Sequence, residues 1–459
     1  MAVTDLTALK NEISTLEPVR SVGRVSSVEG TMVQVSGLAG AARLGDRVRI
    51  VSASGQCVSG EIIRLAEQVA SVLPDEAPVG ISLRDRVILG RDSRISPADS
   101  WIGRIVDPFG RSLDGRPLLK GPRARRLQTA PPPPSRRRAL GGRLETGMAV
   151  FNTMLPLVRG QRIGLFAGSG VGKSQLLATL GCNMAADVVV FALIGERGRE
   201  LLDFARNGLG SEGMKRSVIV AATSDQSPLL RRQCAWAAMC VAEHFRDQGR
   251  HVLFLADSMT RFAEAHREVA VAAGELPALR GFPASTAHML MSICERAGPG
   301  EVDQGDITAV LSVLVAGSDM DEPISDILRG VLDGHVVMDR QIAERGRYPA
   351  IDLLRSVSRS LPAAATDSEN ALILQARSLL GSYQSSETMV RAGLYSDGSD
   401  PILDQAIRAW PDLDSFVAEQ ESQNTQHSFD RLALILRRAT QSQPGSSSTK
   451  QTNTLQVRS

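Results

Sequence analysis

The sequence predicts an α/β protein, in which a domain built on a doubly wound parallel sheet lies between an N-terminal β-barrel and a C-terminal α-helical domain. Three observations support this prediction. Short runs of alternating hydrophobicity fill residues 20–95, strand-like and helical runs alternate from 145 to about 340, and the pattern is helical from 367 onward. Strands that alternate with helices along a chain are typical of a parallel sheet that is covered by helices.

These patterns divide the 459 residues into five segments. We predict an amphipathic partner-binding helix at 1–19, a β-barrel at 20–95, a nucleotide-binding domain at 96–366, a helical domain at 367–440 and a disordered tail at 441–459. In the nucleotide-binding domain we expect strands at 162–167, 188–195, 217–222, 251–257 and 307–315, and a helix at 227–248. The apolar face of this predicted helix could bind a partner protein. Packing of the same face on the chain's own domain explains the pattern equally well.

Composition excludes several classes of protein. The formal net charge is only +2, so no overall field favours nucleic acid or a membrane surface. The first hundred residues contain no Phe, Trp or Tyr, which argues against a barrel that stacks single-stranded bases. The five cysteines form no CxxC pair, and we expect buried thiols in a reducing compartment. The N-terminus lacks the features of a signal peptide, so we expect a cytoplasmic protein.

The segment RARRLQTAPPPPSRRR (123–138) is a stiff proline run between arginines. We expect a solvated linker here. An electrostatic contact with an anionic lipid or with a partner is the alternative.

The stretch GLFAGSGVGKSQLLATL (164–180) is the strongest motif, because a glycine-rich turn joins an apolar run to a helical one. Its GKS ending is typical of a P-loop, in which backbone N–H groups and a helix N-terminus hold phosphates. Lys173 reaches the β- and γ-phosphates in such loops, and the hydroxyl of Ser174 ligates Mg²⁺. Ala167 replaces the usual first glycine, at the end of the strand. We expect the nucleotide to contact Gly168, Ser169, Gly170, Val171, Gly172, Lys173, Ser174 and Gln175.

Two strand ends downstream supply carboxylates. Asp257 ends the apolar run HVLFLAD and is the candidate second ligand of Mg²⁺, although an aspartate at a strand end is commonly a turn residue. Glu196 ends VVVFALIGE and is placed to act as general base towards a water molecule. The alternative to a catalytic role is that Glu196 belongs to a cluster of surface ion pairs with Arg197, Arg199 and Glu200.

Taken together, the stretches GLFAGSGVGKS, GERGRE, VLFLADSMTRFAEAHRE, GSDMDEPISDILRGVLDGHVVMDR and RYPAIDLLRSVSR resemble the catalytic subunits of rotary ATPases. The match runs in order from about residue 20 to 435. Within that superfamily the chain looks most like the ATPases of flagellar type III protein export, and the ATPases of virulence type III secretion come second. The resemblance implies a RecA-like P-loop nucleotide domain, an N-terminal β-barrel and a C-terminal helical domain, assembled as a homohexamer.

The resemblance also implies roles for single residues. Glu196 matches the family's catalytic carboxylate and Arg197 the arginine beside it. Tyr348 matches the tyrosine that stacks on adenine, and Arg359 matches the arginine finger that enters the neighbouring subunit's site. Lys173 completes the catalytic set, and Mg²⁺, bound with ATP as substrate, is the implied cofactor.

The implied partners are proteins and not nucleic acid. By resemblance, a stator-like regulatory protein docks on the N-terminal helix. A central stalk protein and export chaperone–substrate complexes meet the C-terminal domain. The chain would act at the export gate, as a cytoplasmic protein associated peripherally with the inner-membrane export apparatus.

Three further functions compete with export. A catalytic subunit of a rotary ATP synthase would need a non-catalytic sister chain. A non-catalytic nucleotide-binding subunit would lack the water-activating carboxylate, whereas Glu196 is present. A hexameric RNA translocase is disfavoured by the aromatic-free barrel and the near-neutral charge.

Overall fold

The computed structural model describes residues 19–315 and 320–441. Its N-terminal part is a closed six-stranded barrel. Its strands, in the order β1-β2-β5-β4-β3-β6, are antiparallel. Alternate side chains such as Val33, Val35 and Val72 point inward, as the period-2 pattern predicts. The strands are β1 Val22–Glu29, β2 Met32–Ser36, β3 Asp46–Val51, β4 Cys57–Leu65, β5 Val69–Pro74 and β6 Arg86–Asp92.

The central domain is built on a sheet that has nine strands in the described residues, in the order β17-β16-β10-β15-β13-β11-β12-β8, with β14 beside β15. All pairs are parallel except β16–β17 and β14–β15. The strands are β8 Arg104–Val106, β10 Arg162–Ala167, β11 Val188–Glu196, β12 Ser217–Thr223, β13 Val252–Asp257, β14 Gly298–Pro299, β15 Asp306–Leu314, β16 Gly334–Met338 and β17 Ile351–Ser358. A two-stranded ribbon joins β7 Arg94–Ile95 to β9 Arg125–Arg126. The five predicted strands and the α/β fold class are confirmed.

Helices cover both faces of this sheet, and three long helices form the C-terminal domain. The predicted helix at 227–248 is observed at Pro228–Arg246 and starts behind the cap residue Ser227. The α-helices are α1 Ala149–Asn152, α2 Lys173–Asn183, α3 Gly198–Asp203, α4 Gly210–Met214, α5 Pro228–Arg246, α6 Met259–Ala272, α7 Ser285–Arg296, α8 Pro323–Val331, α9 Arg340–Glu344, α10 Asp367–Arg391, α11 Pro401–Val417 and α12 Thr425–Thr440. A π-helical segment, Phe204–Leu209, joins α3 to α4.

Strand β11 shows why its sequence is an unbroken apolar run. Phe191 and Leu193 belong to the core on one face of the sheet, whereas Val190, Ala192 and Ile194 belong to the core on the other face. A parallel strand that is covered by helices on both faces has no polar side. The apolar run therefore fixes β11 as an interior strand of the sheet.

The C-terminal helices are tied to the central sheet. Helix α10 begins with a capping box, in which the Thr366 hydroxyl accepts from the Glu369 backbone N–H and the Glu369 carboxylate accepts from that of Thr366. Farther along α10, Arg377 donates to backbone carbonyls that include that of Leu353 on β17. The ring of Tyr383 stacks on Trp410 of α11 at 4.7 Å between ring centres. These contacts anchor the C-terminal helices to the edge strand of the sheet.

One expectation is refined and another is corrected. The segment 123–138 is exposed over most of its length, as expected of a solvated linker, but it is attached to the central domain, because Arg125, Arg137 and Arg138 pair with Asp247, Glu295 and Asp306. Its arginines fasten the segment to the amino ends of the strands. Cys57 is exposed and Cys182 is half-buried, so only three of the five thiols are buried. The predicted helix at 1–19 and the predicted tail at 441–459 lie almost wholly outside the described residues.

In the part of the chain that the structure describes, no helix has the length and apolar character that crossing a membrane would require.

The barrel is joined to the central domain by a buried ion pair. Arg232 of α5 donates to the Glu61 carboxylate of β4 at 2.9 Å, and Gln233 donates to its other oxygen at 2.6 Å. The side chains of Arg232 and Glu61 are only 10% and 8% exposed. An arginine in this position depends on its carboxylate, since a lone buried charge is costly.

We predict that Glu61→Ala destabilises the protein by about 3–5 kcal/mol, because it leaves the Arg232 guanidinium buried without a counter-charge. Chemical unfolding monitored by circular dichroism would measure the loss. Glu67→Ala, at an exposed position just beyond the same strand, is the matched control and should stay within about 0.5 kcal/mol of the wild type. Equal effects of the two substitutions would contradict the proposed dependence.

Candidate functional site

The glycine-rich turn has the backbone geometry that phosphate binding requires. It follows β10, a buried strand, and leads directly into α2. Gly170 and Gly172 have φ angles of +78° and +84°, which residues with a side chain rarely adopt. Gly172 caps α2 without a side-chain hydrogen bond, so the first-turn N–H groups face outward for an anion. Ala167 is a regular strand residue paired with Leu314 and Met338, which explains why glycine is not needed there.

Asp257 lies at the carboxyl end of β13 and is 3% exposed. The ammonium group of Lys173, at the start of α2, donates a charge-assisted hydrogen bond to its Oδ1. The hydroxyl of Ser312, on the intervening strand β15, donates to the same oxygen at 2.8 Å. The lysine and the aspartate that the sequence predicts to share a site are therefore in direct contact.

Glu196 reaches the same region from the end of β11. Gly195 before it has a φ of +68°, and the pairing of β11 with β12 shifts register at this point. Arg261, in the first turn of α6, holds the carboxylate at 3.0 Å and also donates to the Gly195 carbonyl. The backbone irregularity and the arginine together fix the direction of the glutamate.

The environment of Glu196 favours its protonated form. Burial is the largest cause, the negative charge of Asp257 adds to it, and Arg261 opposes both. A hydrogen bond with the Glu200 carboxyl acts in the same direction as burial, and the net result raises the pKa of Glu196 to about 7. A carboxyl group that titrates near neutral pH can accept and release a proton under working conditions.

A cavity of about 350 Å³ lies beside the ends of these strands. Ser174, Glu196 and Asp257 line one part of it, and the π-helical segment lines another. Its walls are completed by Gln175, Ala178, Leu193, Glu200, Leu201, Asp203, Phe204, Asn207 and Gly208. A hydroxyl and carboxylates are hard oxygen donors, which suit Mg²⁺ when phosphate oxygens and water complete its shell. The donor set of Ser174 and Asp257 therefore fits the predicted metal.

Tyr348 lies beside the glycine-rich turn although it is far away in sequence. A β-carbon placed on Gly172 would lie 3.0 Å from Cδ1 of its ring, so the tyrosine packs on the turn itself. The side chain is 51% exposed. One ring face can therefore remain available for stacking, as a nucleotide base would require.

Arg359 lies at the amino ends of the parallel strands, on the side of the sheet opposite the glycine-rich turn. Because β17 is antiparallel to β16, its final residue pairs with Gly334 at the amino ends of the parallel strands. The Arg359 backbone N–H donates to the Asp333 carbonyl, and the Asp333 N–H donates to the Arg162 carbonyl at the start of β10. The six residues of β10 thus separate Arg359 from its own turn by roughly 17 Å. The exposed Arg359 cannot complete the site of its own chain.

Arg197 is also peripheral in this structure. Its side chain is 79% exposed and pairs with Glu200 at 3.4 Å. The structure therefore brings together Lys173, Ser174, Asp257, Glu196 and Tyr348, and it leaves Arg197 and Arg359 at the surface.

Sequence reasoning missed two residues of the site. Arg261 stands four residues after Asp257, and this spacing across the start of a helix could have identified it. Ser312 is a polar residue inside the apolar strand ITAVLSVL, which is the signal that could have been read. Only the tertiary structure shows that Arg261 contacts Glu196 and that Ser312 contacts Asp257.

Comparisons with known proteins agree with this geometry. Residues 147–358 match the family model for the nucleotide-binding domain of the ATP synthase alpha/beta family. Residues 365–434 match the model for the C-terminal domain of the EscN ATPase of type III secretion systems.

Two relatives and two solved structures are similar over most of the chain. The flagellum-specific ATP synthase of Caulobacter vibrioides is 40% identical and is covered over 98% of its length by 92% of this chain. The flagellum-specific ATP synthase of Salmonella typhimurium is 41% identical, and the match covers 97% of its length and 94% of this chain. The assembled ATPase EscN of enteropathogenic E. coli superposes with a TM-score of 0.84 at 33% identity, and EscN in complex with its central stalk EscO with 0.82 at 34%. Each EscN chain is covered completely by 90% of this one.

We predict that Glu196→Gln stabilises the nucleotide-free protein at alkaline pH. Because the folded pKa is raised above the unfolded value of about 4.3, the folded state binds the extra proton, and wild-type stability falls as pH rises between the two values. The variant carries no ionisable group here, so its advantage should grow from near zero at pH 4.5 to ~3 kcal/mol above pH 8. Unfolding midpoints across this range would test the prediction, and a difference independent of pH would contradict it.

Proposed function

Because the chain belongs to the family of flagellum-specific ATP synthases, we propose that it hydrolyses ATP to energise protein export through a flagellar type III apparatus. It is an ATPase of the type III export class. The observation that supports hydrolysis most directly is the position of Glu196, a carboxyl group of near-neutral pKa that shares a cavity with Ser174 and Asp257. A subunit that only binds nucleotide has no need of such a group.

We assign the phosphates of ATP to the glycine-rich turn. Its backbone N–H groups and the amino end of α2 supply the donors, and Lys173 turns from Asp257 to the β- and γ-phosphates. The residues that we propose contact the nucleotide are Gly168, Ser169, Gly170, Val171, Gly172, Lys173, Ser174 and Gln175. Ser174 and Asp257 would hold Mg²⁺, which neutralises charge on the phosphates. The ring of Tyr348 stacks on the adenine.

We assign the activation of water to Glu196. Its carboxylate accepts the proton of the water molecule that attacks the γ-phosphate, and Arg261 keeps the carboxylate aimed into the cavity. The charge that develops on the transferred phosphoryl group needs a further cation, which Lys173 alone does not supply. Arg197 stands beside the catalytic carboxylate and can turn towards the substrate once its weak pairing with Glu200 breaks.

We propose that Arg359 supplies this cation to the neighbouring subunit of a homohexamer. Its distance from the chain's own turn excludes action in its own site, whereas an exposed position just after an edge strand suits a contact between subunits. An arginine finger of this kind raises turnover by about 10³–10⁵. Hydrolysis would then require assembly.

We further propose where the partners bind. The complex of EscN with its central stalk EscO supports a stalk protein as a partner of this chain, and we assign its contact to the C-terminal helices. By analogy, chaperone–substrate complexes meet the same domain, and a stator-like protein meets the segment 1–19. The chain would then work in the cytoplasm, against the export gate at the inner membrane. The similarity to EscN makes a virulence secretion system the second candidate setting, and the catalytic subunit of a rotary synthase ranks behind both.

Specific ATPase activity of the purified chain should rise steeply and cooperatively with protein concentration, because each site needs Arg359 of a second copy. Steady-state assays over a wide concentration range, with sedimentation at the same concentrations, would measure this. Specific activity that stays constant down to concentrations at which the chain is monomeric would refute the shared site. Negligible turnover at every concentration, with ATP still bound, would instead favour a synthase-type subunit that requires a different chain.

We predict that Arg359→Ala binds ATP almost normally but turns over about 10³-fold more slowly or worse, because the arginine stabilises the transition state. Glu196→Gln should likewise bind ATP and fail to hydrolyse it. Mixing the two inactive variants should restore part of the activity, since some interfaces then combine an intact Glu196 with an intact Arg359. Failure of the mixture to recover, although mixed rings form, would show that the two residues do not meet across an interface.

A further inference from the structure

The ring of Tyr348 is held only partly by its own packing. About half of the side chain is exposed. A β-carbon placed on Gly172 would meet only the Cδ1 and Cε1 atoms of the ring, so the contact with the turn is made through one edge. A half-exposed ring gains little free energy from burial. Its position therefore depends on the backbone that carries it, which is the short loop 345–350 between α9 and β17.

The guanidinium group of Arg347 closes this loop. Its Nη1 donates to the Pro349 carbonyl at 2.8 Å, and its Nη2 donates to the Ile351 carbonyl at 2.9 Å. The Pro349 carbonyl also accepts from the Ile351 N–H at 2.8 Å. Tyr348 lies between the residues that the guanidinium group joins, so its main chain is held on both sides.

A further contact of the same guanidinium group comes from the C-terminal domain. Nε of Arg347 donates to Oδ1 of Asp414, on α11, at 3.2 Å. The two side chains are only 12% and 25% exposed, so solvent screens the pair weakly. The planar guanidinium group has donors in fixed directions and can bind two carbonyls and a carboxylate at once. Asp414 thus supplies the counter-charge that a largely buried arginine needs.

We propose that Arg347 is a positioning residue for recognition of the base, and that Asp414 holds Arg347 where it binds the loop. The proposal rests on the stacking of Tyr348 on the adenine, and it adds that the loop and α11 orient the ring before the nucleotide binds. A ring that is already oriented loses less conformational freedom on binding and contributes more to the affinity. The phosphates lie on the glycine-rich turn and gain nothing from this arrangement. Affinity for the base and affinity for the phosphates should therefore respond differently.

Isothermal titration of the full-length chain with ADP and with pyrophosphate, each with Mg²⁺, separates the two affinities. ADP carries the base and is not turned over, whereas pyrophosphate carries only phosphates. Tyr348→Ala should weaken ADP binding about tenfold, as expected for the loss of one stacking contact. Arg347→Ala should weaken it about fivefold, the cost of ordering one side chain on binding. Asp414→Asn, which removes the charge and keeps the shape, should act in the same direction. Pyrophosphate binding should stay unchanged in all three variants.

A double substitution tests whether Arg347 acts through the tyrosine. In a Tyr348→Ala background, Arg347→Ala should cause no further loss of ADP affinity, because the ring that it positions is absent. The matched control is Arg340→Ala. This arginine is 78% exposed and pairs with Glu344 inside α9, so its removal should change neither titration.

The outcomes distinguish this inference from the function on which it rests. If Tyr348→Ala leaves ADP binding unchanged, the stacking on the base is wrong, and the positioning role is wrong with it. If Tyr348→Ala weakens ADP binding while Arg347→Ala and Asp414→Asn do not, the stacking stands and only the positioning role is wrong. A parallel loss of ADP and pyrophosphate binding in Arg347→Ala would show that the arginine supports the site in general, which also contradicts the positioning role.

Discussion

The parallel hydrogen-bonded ladder through β10, β15, β13 and β11 is the constraint on which the candidate site depends. Parallel strands end at the same edge, so residues that follow these strands meet although the sequence separates them widely. The glycine-rich turn, Ser312, Asp257 and Glu196 all reach the site in this way. Helices cover both faces of the ladder, and its strands are apolar on both sides as a result. A change of register would move several site residues at once.

Within this frame, the chemistry depends on a few charges held close together. Asp257 and Glu196 are two carboxylates at neighbouring strand ends, and each is given its own cation, Lys173 for one and Arg261 for the other. The aspartate is paired directly and is held by a hydroxyl as well. The glutamate is buried near its neighbour's charge, which is why its proton leaves near neutral pH. Two carboxyl groups of the same chemistry thus acquire different tasks from their surroundings.

The reversal of direction at β17 separates two residues that the sequence places close together. Tyr348 precedes the strand and stays at the edge of the nucleotide turn, whereas Arg359 follows it and reaches the other edge. Strand β17 therefore connects the nucleotide site of its own chain to the surface that a neighbouring subunit would contact. The helix α10 is hydrogen-bonded to this strand through Arg377, so the C-terminal domain is anchored to the same strand.

The sequence by itself determined the fold class, five central strands, and the identity of Lys173, Ser174, Asp257 and Glu196 as members of one site. Local signals suffice for these, because a glycine-rich turn and a carboxylate after an apolar strand are read from adjacent residues. The tertiary structure alone decided what those residues touch, since contacts such as Ser312 with Asp257 follow from strand order. It also decided how the proline-rich segment is attached to the central domain, although the segment is exposed over most of its length. Its arginines find carboxylates that lie more than a hundred residues away, and no local pattern encodes such pairs.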